Sequence, residues 1–190
     1  ITTTNDNITF TSATTLTGNV ALNTGAGAGT IAFLNTLNGG FDLALTAGTG
    51  NIDFDGSVGG VAPLGAVTVN SATDVTADGA FNAASFRQVA GSGTTTFTGA
   101  LSTTAAAGVN VDGTNFNFND AVTVALGALD VDATGTVRFN GLVTTQDETT
   151  GLVTVSNGGL LTITGTGDMN LAGAFLQDGA GLVSTAGDIT

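Results

Sequence analysis

A phenylalanine that returns about every 21 residues is the feature that most limits how this chain can fold. The short pattern Gly, any residue, Ile or Val, any residue, Phe recurs, as in the segments 29–33, 50–54 and 135–139. The spacing predicts one column of equivalent anchor residues: Phe10, Phe33, Phe54, Val75, Phe97, Phe118, Phe139, Leu161 and Leu182. Such a constant period is typical of a protein built from stacked structural repeats.

Each period also contains a second run in which apolar and polar residues alternate, such as Val122-Thr-Val124 or Phe41-Asp-Leu43-Ala-Leu45. Alternation of this kind indicates short β-strands, and Gly and Asn separate the runs. The chain is therefore predicted to be all-β: a parallel right-handed β-helix, or β-solenoid, of about 21 residues per rung and roughly nine rungs. A rung is one circuit of the chain round the axis. The alternative is an antiparallel sandwich, whose strands also recur regularly.

If the chain is a solenoid, the anchor phenylalanines stack inside the coil as an aromatic ladder. About 21 residues at roughly 3.3 Å each form a path near 70 Å, which suits a rung with two or three sides. We expect residues 1–190 to form a single solenoid segment. Both termini resemble the middle of a rung, so we expect the segment to be an excerpt of a longer repeat protein, or to meet another subunit at its ends.

The composition excludes several functions. The chain has 15 acidic residues, 2 basic residues, no His and no Cys, which gives a formal charge of −13. Without His or Cys it cannot form soft-metal sites, thiol nucleophiles or Ser–His pairs. Two cations are too few to bind the phosphates of a nucleic acid. No apolar run approaches the ~20 residues that span a bilayer, so no direct membrane insertion is expected.

The Gly-Thr-Val-x-Phe-x-Gly units, and the segment 55–71 with its Gly-rich turn and Val-Thr-Val strand, resemble bacterial β-strand-repeat surface proteins. These are the filamentous-haemagglutinin-like and autotransporter-type adhesins. The resemblance covers roughly residues 7–185. It implies a secreted right-handed β-helix at the bacterial cell surface, with adhesive or matrix-forming roles. It implies no catalytic residues.

Three carboxylates are the candidate metal ligands. Asp53 and Asp55 flank Phe54, so both point outward if Phe54 points inward. The assumed register places Asp74 beside Asp53, one rung later. Neighbouring carboxylates repel, and a hard cation such as Ca²⁺ relieves that repulsion. The same residues also fit a solvated acidic face that keeps a rod soluble, and Asp130-Val-Asp132 repeats their arrangement.

Other candidate sites are weaker. Asp53 and Asp55 on one strand pass the distance test for glycoside hydrolysis, but the chain lacks Trp and Tyr platforms for sugar rings. Thr-x-Thr units at Thr9, Thr96 and Thr162 suggest an ordered-water surface, although other residue types interrupt the array. Pro63 and the polar stretch Thr145–Thr150 predict protruding loops, where a binding surface would lie.

The function that fits best is an extracellular structural or adhesive rod, either a shaft or a filament or sheath subunit. Its partners would be neighbouring repeats or further copies of itself, joined end to end or laterally, with surface glycans as another possibility. A glycan- or calcium-binding β-helix module is the alternative, and a polysaccharide-active enzyme is the weakest candidate. We expect no catalytic activity and no cofactor, apart from calcium in the alternative.

Overall fold

The computed structural model describes residues 1–190 as 23 short β-strands with no helix, and so with no helix that could cross a membrane. In chain order the strands are β1 (Ile8–Phe10), β2 (Thr14–Thr15), β3 (Val20–Asn23), β4 (Ile31–Phe33), β5 (Leu37–Asn38), β6 (Leu43–Thr46), β7 (Ile52–Phe54), β8 (Leu64–Ser71), β9 (Val75–Ala77), β10 (Phe81–Gln88), β11 (Thr94–Phe97), β12 (Leu101–Thr103), β13 (Val109–Gly113), β14 (Asn115–Phe118), β15 (Val122–Val124), β16 (Leu129–Ala133), β17 (Val137–Phe139), β18 (Val143–Thr145), β19 (Val153–Asn157), β20 (Leu161–Ile163), β21 (Met169–Asn170), β22 (Phe175–Gln177) and β23 (Val183–Thr185).

The strands wind into a coil with three faces. Face 1 is a nine-stranded parallel sheet of β1, β4, β7, β9, β11, β14, β17, β20 and β23. Face 2 contains β12, β15, β18 and β21, together with the strand pair β2 and β5, which continues it through bridges from Leu37 to Val58 and from Val58 to Phe81. Face 3 contains β3, β6, β8, β13, β16, β19 and β22. The long strand β10 joins the last two faces, because its start pairs with β12 and its end pairs with β13. The predicted parallel β-solenoid is confirmed.

Eight turns separate the nine strands of face 1. The average turn has about 22 residues, a period typical of solenoid repeats. Individual turns vary, as the register along face 1 shows. The turn from Phe10 to its partner Phe33 is two residues longer than the turn from Phe33 to Phe54. The shortest turn ends at Phe97 and the longest ends at Ile163. The variation matters because it displaces three of the predicted ladder positions.

Val75, Leu161 and Leu182 were wrongly assigned to the ladder. Phe54 pairs with Ala77, and Phe139 pairs with Ile163. Val75 and Leu161 are buried in the neighbouring inward column, which also contains Ile52 and Val137. Leu182 lies just before β23 and is 77% exposed, whereas Thr185 continues the ladder position.

The aromatic ladder exists but is divided into two stacks. Phe10, Phe33 and Phe54 form the first stack, with ring centroids 4.9 and 5.4 Å apart and rings parallel within 5°. The second stack lies further along the axis, with centroid separations of 5.8 and 5.0 Å, and contains Phe97, Phe118 and Phe139. Ala77 occupies the ladder position between the stacks. Phe81 contacts the last ring of the first stack and the first ring of the second, so it bridges the gap that this alanine leaves. Phe86 packs beside it against Phe81 and Phe97.

Close contact between rungs explains the glycine four residues before several anchors. A β-carbon on Gly50 would collide with the backbone oxygen of Gly29, its equivalent in the previous rung. A β-carbon on Gly135 would lie 2.8 Å from the oxygen of Thr114. Glycine is therefore needed at Gly50 and Gly135, where a side chain would force successive rungs apart. Other rungs accept a side chain at the equivalent position, as Thr114 does.

Candidate functional site

The predicted calcium ligands lie on the outer surface of face 1, but their register differs from the expected one. Asp53 pairs with Thr76, not with Asp74. Asp74 lies one rung above Asn51, whose Oδ1 accepts a hydrogen bond from the Asp74 backbone amide at 3.2 Å. The error has the same origin as the misplaced Val75, because the turn between Phe54 and Ala77 is longer than the turn before it. The acidic neighbour that sequence reasoning missed is Asp78, which follows Ala77.

These four carboxylates affect one another electrostatically. Partial burial raises the pKa of the Asp53 carboxyl above its ordinary value, and the charges of Asp55, Asp78 and Asp74 raise it further. The Asp74 carboxylate accepts a hydrogen bond from the Thr94 amide at 2.8 Å. No group of three or more acidic side chains in the chain converges closely enough to hold a metal ion. The cluster is a region of uncompensated negative charge.

A second acidic cluster lies on face 3, where the sequence pattern had indicated Asp130 and Asp132. Asp112 pairs directly with Asp132, so two like charges face each other across adjacent strands. Partial burial raises the pKa of the Asp130 carboxyl, while a 3.0 Å hydrogen bond from Asn110 lowers it. The charges of Asp112, Asp132 and Asp178 contribute further upward shifts.

Arg138 is one of two basic residues, and its guanidinium donates a hydrogen bond to a side-chain amide. It pairs with Asn117 of the previous rung. Its Nε donates a 2.6 Å hydrogen bond to Oδ1 of Asn140, and Nδ2 of Asn140 donates to Oδ1 of Asn119 at 2.8 Å. The arrangement has no carboxylate partner for the guanidinium, so it does not resemble the acid–base pair of a polysaccharide-cleaving site.

The threonine units do not form a continuous array. Thr9, Thr96 and Thr162 belong to one outward column of face 1, as the spacing predicted. Other side chains interrupt that column, namely Ala32, Asp53, Asn117 and Arg138. A regular threonine surface is therefore limited to the adjacent pair Thr76 and Thr96.

Face 2 has a different outer surface. Its outward column in successive rungs is uncharged and consists of Asn82, Ser102, Thr123, Thr144 and Asn170. The register of this column has no irregularity, because each strand pairs in parallel with the strand of the next rung. Small uncharged side chains on a regular parallel sheet form a surface that another molecule can approach without desolvating a charge.

Two loops protrude where the sequence predicted them. The residues between Gly59 and Pro63 form a loop with Val61 90% exposed at its tip, and Asn38 Oδ1 accepts the Val61 amide at 2.9 Å. In the other loop the hydroxyls of Thr149 and Thr150 donate to Asp147 at 2.6 and 2.7 Å. These hydrogen bonds hold the pKa of the Asp147 carboxyl well below its ordinary range. The loop at Asp147 is closed by its own hydrogen bonds, whereas the loop near Pro63 is held by Asn38 of the previous rung.

Sequence reasoning missed a polar pair inside the coil. Gln88 is buried in an inward column between Val69 and Val111. Its Oε1 accepts a 2.7 Å hydrogen bond from Thr95, and its Nε2 donates to the backbone oxygen of Asp112 at 3.3 Å. Gln177 occupies the same column and donates to Asn157 at 2.8 Å. The available signal was a glutamine at a position that is Val or Leu in the other rungs.

Two concave regions occur, both near the N-terminal end of the coil. The larger has a volume of about 420 Å³ and opens onto the interior, where Phe10, Leu16 and Val20 line it. The second is a groove of about 310 Å³ on face 3, between Asp42 and Thr68. Asp42 is already engaged there, because its carboxylate accepts hydrogen bonds from Asn19 and the Ala66 amide.

Comparison with protein-family models, curated proteins and solved structures finds no significant match for this chain.

Proposed function

We propose that this chain is a structural rod, which serves as the shaft, or as a filament or sheath subunit, of an extracellular bacterial surface protein. One observation carries the proposal: a single cluster of 40 buried apolar residues extends along most of the coil. It begins at Ile8 on β1 and reaches Met169 on β21 without a break. The two concave regions lie at the N-terminal end of the coil, and the remaining rungs contain no further one. A continuous packed core over those rungs favours a load-bearing element over a pocket protein, since a binding cavity interrupts such packing.

The direction of the hydrogen bonds supports the same role. Parallel strands bond from rung to rung, so their backbone hydrogen bonds point along the rod axis. The Ile31 amide, for example, donates to Asn51 of the next rung at 2.9 Å, and the Ile52 amide donates to Asp74 at 2.9 Å. Stretching or bending the rod strains many such bonds together, which makes it stiff for its small cross-section.

The surface chemistry suggests how rods assemble. The acidic clusters on faces 1 and 3 keep those faces solvated and repel equivalent faces of another rod. Face 2 lacks charge over its central rungs, so it is the face on which two rods can approach without repulsion. We infer that lateral association uses the outward column that contains Ser102, Thr123 and Thr144.

We infer that the chain has no catalytic activity. Asp53 and Asp55 are the only pair that sequence reasoning offered for glycan cleavage, and both lie on an open sheet surface. Hydrolysis needs a shielded acid beside a base in a cleft that holds the sugar. An assay of glycan cleavage tests this inference directly: activity that Asp53→Asn abolishes would establish the enzyme alternative.

The rod proposal is tested by solution scattering and electron microscopy. Nine stacked strands predict an axial length on the order of 40 Å for the single coil, and fibres or bundles at raised concentration. Ser102→Asp places a charge on face 2 and should disperse the bundles. Thr96→Asp places the same charge on the already acidic face 1, and should leave them intact.

A calcium chelator distinguishes the rod proposal from the calcium-binding alternative. The rod proposal expects the same scattering curve and melting temperature with and without a calcium chelator. If the chelator melts or disperses the rods, and calcium restores them, the cation-binding module is the better account. If the chain stays monomeric and captures surface glycans, the rod proposal fails and the glycan-binding alternative replaces it.

A further inference from the structure

Three Asn-Gly pairs differ sharply in their surroundings, and the difference points to a reactive site. The pairs are Asn38-Gly39, Asn140-Gly141 and Asn157-Gly158. In such a pair the glycine nitrogen can attack the side-chain carbonyl carbon of the asparagine, because glycine has no side chain to block the approach. The reaction is intramolecular, so its rate depends on how the two groups are held.

The attacking nitrogen is free in only one of the three pairs. The Gly39 amide donates to the Ala62 oxygen at 3.1 Å, and the Gly158 amide donates to the Ala133 oxygen at 2.9 Å. Each of these bonds links the glycine to a neighbouring part of the coil and must break before attack. The Gly141 amide has no hydrogen-bond acceptor.

In the Asn140-Gly141 pair, a positive charge polarises the side-chain carbonyl that is attacked. Arg138 donates a 2.6 Å hydrogen bond from Nε to Oδ1 of Asn140. A guanidinium at this oxygen stabilises the negative charge that develops there when the carbonyl carbon is attacked. In the other two pairs the same oxygen accepts only neutral donors: the Val61 and Ala62 amides at Asn38, and the Gln177 side-chain amide at Asn157.

We propose that Asn140-Gly141 is a self-modification site, at which the folded chain converts Asn140 to an acid with water as the only co-reactant. The Gly141 nitrogen forms a bond to Cγ of Asn140, the bond from Cγ to Nδ2 breaks, and Nδ2 leaves as ammonia with the proton from Gly141. Water then adds to either carbonyl of the succinimide ring. The products are aspartate and isoaspartate at position 140, with no oxidation or reduction.

The modification changes one contact between rungs. A carboxylate at position 140 cannot donate to Asn119, so the present 2.8 Å hydrogen bond is lost. The isoaspartyl product also lengthens the backbone by one carbon next to Gly141. Space there is small, because a β-carbon on Gly141 would collide with the backbone of Asp120. Conversion therefore adds negative charge to the surface and loosens the contact between two rungs.

The test uses the intact chain, kept folded in mildly alkaline heavy-oxygen water and sampled by peptide mass spectrometry. The two other Asn-Gly pairs are internal controls. We expect Asn140 to be converted first, with heavy oxygen incorporated, while Asn38 and Asn157 stay as amides. In denaturant the three rates should become similar. If Asn140 reacts no faster than Asn38 in the folded chain, the proposal is wrong.

A variant tests the role of the guanidinium. Arg138→Gln should slow conversion at Asn140 about ten-fold, the rate equivalent of one charge-assisted hydrogen bond. It should leave conversion of all three pairs in denaturant unchanged, and circular dichroism reports whether the coil is intact. If the folded variant reacts at the parent rate, the polarising role of Arg138 is overturned.

Discussion

The rings of Phe81 and Phe54 pack edge to face, with centroids 5.4 Å apart and planes at 85°. Phe81 makes the same kind of contact with Phe97, at 5.7 Å and 87°. It therefore joins the end of one parallel stack to the start of the next. This is possible because Ala77, and not a phenylalanine, occupies the intervening ladder position. The core is continuous although the ladder is not.

We therefore expect a variant with an unbroken phenylalanine ladder to be less stable than the parent chain with the divided ladder. Ala77→Phe inserts a ring into the gap that Phe81 already bridges, and overpacking of this kind costs about 1–3 kcal/mol. Urea unfolding should show a lower midpoint for the variant. An unchanged or higher midpoint would mean that the interior has room for another ring in the column.

Removal of the Phe81 ring tests the same packing. Phe81→Ala leaves a cavity and should cost about 3–5 kcal/mol of unfolding free energy. Because the ring that Ala77→Phe introduces occupies part of this cavity, the double variant should cost less than the sum of the two single changes. Additive costs would show that positions 77 and 81 do not compete for the same space.

The buried hydroxyl of Thr103 indicates a position where a substitution should stabilise the protein. Its hydroxyl is fully buried on β12 and has no hydrogen-bond partner. Thr103→Val keeps the shape and removes the unsatisfied group, so it should raise the free energy of unfolding by about 1–3 kcal/mol. Thr144→Val on the outer surface of face 2 is the matched control and should change it by less than about 0.5 kcal/mol. Equal effects of the two variants would contradict the assigned burial.

The buried pair of Gln88 and Thr95 predicts strong coupling. Thr95→Val leaves Oε1 of Gln88 without its donor and should cost about 1–3 kcal/mol. Gln88→Leu leaves the Thr95 hydroxyl without its acceptor and should have a similar cost. The double variant makes the column apolar, as in other rungs, so it should be more stable than either single variant. A double-mutant cycle with no coupling would show that the two side chains do not interact.

The raised pKa of Asp53 predicts a pH effect with a definite sign. Between the ordinary value of 3.8 and the raised folded value, the folded chain binds more protons than the unfolded chain. Stability therefore decreases as pH rises through this window. Asp53→Asn should raise the melting temperature relative to the parent at pH 7, and the difference should shrink below pH 3.8.

Asp147 is the control, because its pKa shift has the opposite direction to that of Asp53. Its folded pKa is lowered by Thr149 and Thr150, so its contribution to stability is present above the ordinary Asp value and is lost as pH falls toward the folded value. Asp147→Asn should therefore lower the melting temperature at pH 7. If both variants shift the melting temperature in the same direction, the electrostatic account of the two sites is wrong.

Much of the fold follows from the column of phenylalanines. Six of the nine predicted ladder positions are phenylalanines, and all six lie in the ladder, because a large ring on a short strand must point inward to be buried. The sequence also indicates both protruding loops. It does not show how many residues those loops add to their rungs, and this number determines the register of every strand that follows.

Two of the three misplaced positions have this cause. The loop near Pro63 lengthens one turn, so Ala77 and not Val75 follows Phe54. The loop at Asp147 makes another turn the longest on face 1, which moves the ladder from Leu161 to Ile163. Both errors are two residues long, so the misplaced Val75 and Leu161 still point inward. The alternation of apolar and polar residues cannot reveal a shift of two residues, because such a shift leaves each side chain on the same side of the strand.

Disulfide trapping tests the central claim, that the chain is stacked as parallel rungs in register. The chain has no cysteine, so any disulfide comes from engineered residues. Thr123 and Thr144 are direct partners on adjacent rungs, and neighbouring strands lie about 4.8 Å apart, within the range that a disulfide spans. Ser102 and Thr144 are two rungs apart, about 9.6 Å. The solenoid predicts rapid oxidation of Thr123→Cys with Thr144→Cys and none of Ser102→Cys with Thr144→Cys. Failure of the first pair, or equal oxidation of both, would contradict the stacked coil.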